Sequence, residues 1–265
     1  MPFPLLYEAF YQSGRALGVR GYQISGDQGD FFAPLFDQTI AKTYLRTKSW
    51  SPDLVEVLRQ SLAGGGVFLD VGANIGLVTV PLAQNAAIRC IALEPDPQNY
   101  RLLQANVLTN CPHKNVEVFN AAAYREETEL AFQRSEYNSG DHRVSKTGTV
   151  RVRGMRLDDI PRPPGYLAIK IDTQGAEPAV FEGARESIAS ADVLICEYWP
   201  WAMRRMGLSP GPVLDGLAKF RKARIYHNGR PTAWMPIGDA ITQLDRVTSA
   251  GGEHDQVDIL AAKEV

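Results

Sequence analysis

Phe68 to Gly76 reads FLDVGANIG, and the fold follows from this stretch. An apolar run ends near Asp70; Gly72, Asn74 and Gly76 then make a tight turn of small residues, and a helical pattern runs from Ile75 to Gln84. A strand, a glycine turn and a helix in that order let a ligand approach the backbone beside the helix N-terminus. The dinucleotide fingerprint has a glycine where this chain has Asn74. Asp70, two residues before Gly72, is expected to face the same crevice. A carboxylate there repels a diphosphate and attracts a cationic sulfonium and ammonium, so the charge favours S-adenosylmethionine over NAD or FAD.

Outward from the turn, short apolar runs alternate with helical stretches, the pattern of a parallel sheet built from βαβ units. Strands are expected at Val67–Val71, Arg89–Leu93, Val116–Asn120, Leu167–Ile171, Val193–Glu197 and Ala223–Tyr226. Several are apolar without alternation, as strands covered on both faces should be. Helices are expected at Asp96–Thr109, with Pro97 in the first turn, at Glu177–Ser190 and at Pro212–Arg221. Val257–Ala262 reads as an antiparallel strand able to form a hairpin with its predecessor. The expected class is a doubly wound, mostly parallel α/β sheet with helices on both faces, Rossmann-like, occupying residues 67–265. Residues 1–66 read as a helical appendage, whose last helix, Pro52–Leu62, is capped by Ser51 and stopped by Gly64–Gly66. Between residues 124 and 164 two strand-like runs, Glu129–Gln133 and Thr149–Gly154, flank the loop YNSGDHRVSKTG and read as an inserted hairpin.

Glu94 closes the second strand, 22 residues after Gly72. A carboxylate in that place accepts hydrogen bonds from both ribose hydroxyls. Asn120, ending the third strand, can frame the adenine side of the cleft or serve as a turn residue. Asp172, at the end of the fourth strand in IKIDTQG, can accept a proton, orient a hydroxyl, hold the methionine ammonium, or simply cap the helix near Glu177. Lys170 shares its strand face, and a lysine there needs an ion-pair partner, Asp172 or Glu197. Glu177 can orient this group or serve only as a first-turn acid.

Taken together, DVGANIG, ALEPDPQNYRLLQAN, NVEVFNAAA and IKIDTQGAEPAVFEGA resemble the FkbM family of methyltransferases, over about Val67 to Glu197. The resemblance implies the class I methyltransferase fold and O-methylation of hydroxyls on sugars and natural products. It implies that Asp70, Gly72, Asn74, Gly76 and Glu94 contact the cofactor, and that Lys170, Asp172, Gly175 and Glu177 shape the active-site floor. Residues 1–60 and the segment after Gly207 lie outside it, and nothing in it identifies the acceptor.

A hydroxyl is a poor nucleophile at neutral pH, so a base is required as well as in-line positioning. His142 in NSGDHRV is a candidate, titrating near neutrality without help, provided its loop folds over the cofactor. Asp141 and Arg143 beside it can bind a polar or anionic acceptor. Glu197, Tyr198 and Trp199 lie at the same rim, where aromatic faces can stack on a sugar ring or exclude water; Trp201 reads as core cover. Asp172, Glu197 and His142 have no ligand spacing that calls for a metal.

Composition narrows the remaining classes. A net charge of −2, with 45% hydrophobic and 22% charged residues, gives no basic field for a nucleic-acid backbone. Cys90, Cys111 and Cys196 lack CxxC spacing, and no run reaches the roughly 18 apolar residues of a membrane span, so a cytoplasmic protein is expected. The partner is then a small-molecule or saccharide acceptor, with monomer and homodimer both open. Nucleic-acid and peptide methylation are the enzymatic alternatives. DTQG stands where exocyclic-amine methyltransferases carry Asn/Asp-Pro-Pro-aromatic, and Cys196 on a buried strand is a poor nucleophile. A non-catalytic module is disfavoured because it needs none of Asp70, Glu94 and Asp172.

Overall fold

A computed structural model describes residues 3–227 and 229–264. The chain opens with α1 (Phe3–Ala16), a hairpin of β1 (Gly21–Gly26) and β2 (Gly29–Pro34), then α2 (Ile40–Thr47) and α3 (Pro52–Ser61). The N-terminal segment is therefore not purely helical. Its hairpin pairs antiparallel from Gly21↔Pro34 to Gly26↔Gly29 and turns at Gly29, whose φ of 137° suits glycine. Asn106 donates to the Phe32 carbonyl and accepts from its amide, and Asn110 does the same for Asp30, so the hairpin is stitched to a helix of the main fold. Ser51 occupies the N-cap position of α3 as expected, but with a φ of 40° its side chain makes no cap bond.

The main fold runs β3 (Gly66–Val71), α4 (Thr79–Ala83), β4 (Ile88–Leu93), α5 (Pro97–Asn110) and β5 (Val116–Phe119). An inserted segment follows: β6 (Ala122–Ala123), β7 (Thr128–Gln133), β8 (Arg143–Val144) and β9 (Val150–Met155). The chain then continues through β10 (Leu167–Ile171), α6 (Glu177–Glu182), α7 (Arg185–Ser190), β11 (Val193–Tyr198), α8 (Pro200–Arg205), α9 (Gly211–Leu217) and β12 (Lys222–His227). Short strands β13 (Arg230–Pro231) and β14 (Met235–Pro236), helix α10 (Ile237–Ala250) and β15 (Val257–Ala262) complete it.

Among the described residues the central sheet has the order β5-β4-β3-β10-β11-β15-β12-β13, with β14 beside β12. Strands β5, β4, β3, β10 and β11 are parallel, and β15 is antiparallel to both β11 and β12. This is the expected doubly wound α/β class. The last strand does not simply hairpin with its predecessor: α10 intervenes, and β15 slots between β11 and β12. The strands are buried on both faces, one apolar cluster containing Leu69, Ile91, Ile169 and Leu194 and the other Phe68, Cys90, Ala168 and Ile195. Among the described residues no helix is long and apolar enough to cross a membrane.

Helix boundaries shift where backbone strain intervenes. The helix after β3 begins only at Thr79, because Asn74 (φ 53°) and Gly76 (φ 93°) hold the preceding residues in a turn. The single helix expected at 177–190 breaks after Glu182, and β9 pairs with β7 to form the expected inserted hairpin within a four-stranded sheet, β6-β9-β7-β8. The break lets the insert approach: a Cβ on Gly183 would lie 1.9 Å from the Tyr124 carbonyl oxygen. Gly183→Ala should therefore lose about 1–3 kcal/mol, the range of an overpacked contact that backbone must relieve. Urea unfolding checks this; an unchanged midpoint would contradict it.

Candidate functional site

The strand order reverses between β3 and β10, and open α/β sheets bind ligands outside the carboxyl ends of the strands at such a switch point. The turn Gly72–Gly76 follows one strand and Asp172–Gly175 follows the other. The two approach so closely that a Cβ on Gly72 (φ 78°) would lie 2.0 Å from the Asp172 carbonyl oxygen. Gly72, Asn74, Glu94, Lys170 and Asp172 line a cavity here of about 90 Å³. Glu94, 4% exposed, accepts the Asn74 amide at 2.8 Å on one oxygen and the Asp96 amide at 2.8 Å on the other. Burial pushes its carboxyl up to about 8, against the pull of those two amides. Each oxygen keeps a free lone pair.

Two expected cofactor contacts are placed elsewhere. Gly76 does not line the cavity; it is needed where a Cβ would meet Leu103 Cδ1 at 2.8 Å. Asn120 is exposed and donates to the Glu94 and Pro95 carbonyls, serving as the turn residue that was its other reading.

Asp70 requires the largest correction. It is fully buried and does not line the cavity. Lys170, its register partner on β10, donates to one oxygen at 3.2 Å and to the Gly72 carbonyl at 3.1 Å, while Thr79 donates to the other at 2.6 Å. Its charge is spent inside the sheet and not on a ligand. The expectation that Lys170 pairs with Asp172 or Glu197 is only half met, since Asp172 lies 3.7 Å away. Burial opposes the ammonium charge, but Asp70 and Asp172 outweigh it and hold Lys170 above its ordinary value. A lysine so held is no proton acceptor; it stiffens the floor.

The open side of the site is acidic. Asp172, with its side chain 43% exposed, lines both the cavity and an adjoining crevice of about 670 Å³. Gln174 (φ 58°) bridges it to Glu197, donating from Nε2 at 2.9 Å to Asp172 and at 3.2 Å to each Glu197 oxygen. Gln256 also donates to Glu197. Burial, with Asp172, Glu177 and Asp258 nearby, pushes the Glu197 carboxyl well above the usual range, and burial raises Asp258 to about 6. Glu177 is buried and shapes the loop, one oxygen accepting the Thr173 and Gly175 amides and the Thr173 hydroxyl. Tyr198 is a correction: it is wholly buried, its hydroxyl bonded to Thr248, and it touches neither cavity nor crevice. Trp199 does line the crevice, stacked on Trp201 at 5.5 Å. Gln174, Gln256 and Asp258 went unread in the sequence. The only signal was that Gln174 lies inside IKIDTQG.

The inserted loop does fold over the cavity, as His142 required. Ser139, Gly140 and His142 roof it with Ile40 and Trp50 from the N-terminal segment. Asp37 clasps the two pieces together: it accepts the Thr39, Ile40 and Ala41 amides and also the Ser139 amide and hydroxyl. His142 is 9% exposed, stacked on Phe36, and its Nδ1 accepts the Ser135 amide at 3.0 Å. Burial lowers its pKa. A neutral ring whose Nδ1 accepts carries its proton on Nε2, which donates and cannot take a proton. The general-base role expected for His142 therefore has no free lone pair. Asp141 and Arg143 line the crevice but pair with each other at 2.9 Å. Among the described residues no group of three or more His, Cys, Asp or Glu side chains is arranged to hold a metal.

Residues 70–207, just over half of the chain, match the sequence signature of the methyltransferase FkbM domain. No curated protein matches the chain in sequence. Similar solved structures include the methyltransferase FkbM of Methylobacillus flagellatus KT, with 15% identity, a TM-score of 0.46, and 74% of this chain and 43% of that one covered. The chain thus spans less than half the length of that protein. A magnesium protoporphyrin IX methyltransferase of Synechocystis PCC 6803 with bound SAM has 11% identity and a TM-score of 0.43, covering 80% and 79%. An O-methyltransferase of Bacillus cereus in complex with SAH has 16% identity and a TM-score of 0.40, covering 84% and 86%. With every one of these scores below 0.5, the fold assignment rests on the strand order and the family match.

Asp70→Asn should cost about 3–5 kcal/mol, the penalty for stranding the buried Lys170 charge. Chemical denaturation measures it. A variant of wild-type stability would mean that Asp172 alone suffices as partner.

Proposed function

The chain belongs to the FkbM methyltransferase domain family, whose cofactor is S-adenosylmethionine, and from that premise we propose that it methylates a hydroxyl oxygen of a sugar or natural product. The observation that carries this reading is the position of Asp172, which borders both the cavity beneath the glycine turn and the open crevice. A methyl donor held in the first meets an acceptor lying in the second at that residue.

The chain's own residues fit such a donor. Glu94 offers a lone pair on each oxygen to a ribose diol, and the half-exposed Asp172 carboxylate suits a cationic sulfur. When bound, the cofactor supplies an electrophilic methyl group. Asp172 then orients the acceptor hydroxyl and takes its proton, with Gln174 fixing the carboxylate against Glu197. Trp199 and Arg205 wall the crevice beside the acceptor. The cavity, at about 90 Å³, is smaller than the roughly 300–1,000 Å³ of pockets that enclose drug-sized ligands. Methylation of a base through a cysteine nucleophile has no group to perform it among the described residues: burial holds Cys90 and Cys196 well above their ordinary values and Cys111 at about 11.

Two measurements test this. With tritiated S-adenosylmethionine and a panel of polyols, sugars and hydroxylated ring compounds, label should appear in an alkali-stable ether, and Asp172→Asn should slow transfer by about 10²–10⁴-fold. Label only in amines or in no acceptor would contradict the proposal. The second reads Glu94 directly. Ribose hydroxyls donating to it favour its charged form, so binding lowers a pKa that stands at about 8 in the free protein. S-adenosylhomocysteine affinity should thus rise with pH up to about 8 and level off above it, with proton release visible by calorimetry in buffers of different ionisation enthalpy. Glu94→Gln should abolish the slope.

A further inference from the structure

A second cavity, of about 270 Å³, opens off the acceptor crevice between α3 and the strands β11, β12 and β15. Its walls are mainly apolar, with Leu54 and Val57 from α3, Ile195 from β11, Tyr226 from β12 and Leu260 from β15, and Ser51, Asp53 and Asp258 are the polar residues among them. The crevice and this cavity share Ser51, Leu54, Ile195 and Asp258, so they are one continuous space, polar toward Asp172 and apolar at its far end. The cavity opens to solvent past the exposed Ser51, Pro52, Asp53 and Gly229, and the half-buried Leu54, Val57 and Tyr226 leave apolar surface whose removal from water by a ligand is favourable. Ser51, at the junction of the two spaces, is the N-cap residue of α3 and holds a left-handed φ of 40°.

We propose that this cavity receives an apolar segment of the methyl acceptor. The substrate is then an amphipathic molecule, with a hydroxylated part in the crevice beside Asp172 and Glu197 and a hydrocarbon chain or ring against Val57 and Leu260. A free sugar would leave the cavity empty. This rests on the reading of the crevice as the acceptor site.

The probe is a series of straight 1-alkanols from butanol to octanol, titrated calorimetrically into the whole protein with and without S-adenosylhomocysteine. Each buried methylene should strengthen binding about three- to fourfold, the equivalent of transferring it out of water. Val57→Trp fills the cavity from a half-buried helix position and should flatten the series, while its circular dichroism and S-adenosylhomocysteine affinity stay those of the wild type. A milder filling, Val57→Phe, should shorten the rise to the lower alcohols. A flat series in the wild-type protein, or a slope that survives Val57→Trp, overturns the proposal. Failure of S-adenosylhomocysteine to bind would instead strike the methyltransferase reading, and the alkanol slope would still report the cavity.

Discussion

A buried ion pair, Asp70 with Lys170, sits where β3 and β10 lie side by side at the point at which the sheet reverses direction. Everything around the site is arranged about it. The pair ties the two strands together below the carboxyl ends of the sheet, and the same ammonium holds the Gly72 carbonyl, fixing the start of the glycine turn. Above it, only glycine permits that turn to pass the Asp172 backbone. A buried pair of this kind adds little net stability relative to well-packed apolar residues, but loss of either partner strands a charge. Its role here is geometric: it sets where Gly72 and Asp172 stand relative to one another.

Once that pair is internally neutral, the negative character of the site comes from other carboxylates. Glu94 lies beneath the Asn74 amide, and Asp172, Glu197 and Asp258 line the crevice. Burial, with carboxylates close by, raises Glu94, Glu197 and Asp258 above the usual carboxylate range. The roof adds a mechanical element. Asp37 and Ser139 lie 102 residues apart in the chain yet meet over the cavity, joining the N-terminal segment to the insert.

The doubly wound class was legible because continuous apolar strands alternate with helices, and FLDVGANIG marked the ligand end of the sheet. That Glu94 and Asp172 stand at the cavity was legible from spacing and from strand ends. What the chain did not disclose depends on partners distant in sequence. Asp70 was assigned to the ligand because its neighbours along the chain say nothing of Lys170, 100 residues on. His142 titrates conveniently in isolation, but the Ser135 amide takes the lone pair that a base would need. Tyr198, expected just past the fifth strand, is instead the last residue of β11, and strand alternation turns it inward to Thr248. The β1–β2 hairpin is not legible locally, because much of what ties it to the main fold comes from Asn106 and Asn110 on α5, more than 70 residues away in the chain.

A crystal structure with S-adenosylhomocysteine tests the central claim most directly, because it shows which carboxylate holds the nucleoside. The account predicts the ribose diol on Glu94, the sulfur beside Asp172, and the Asp70–Lys170 pair intact and untouched by the ligand. A nucleoside seated away from Glu94, or a ligand ammonium that displaces Lys170 from Asp70, would contradict it.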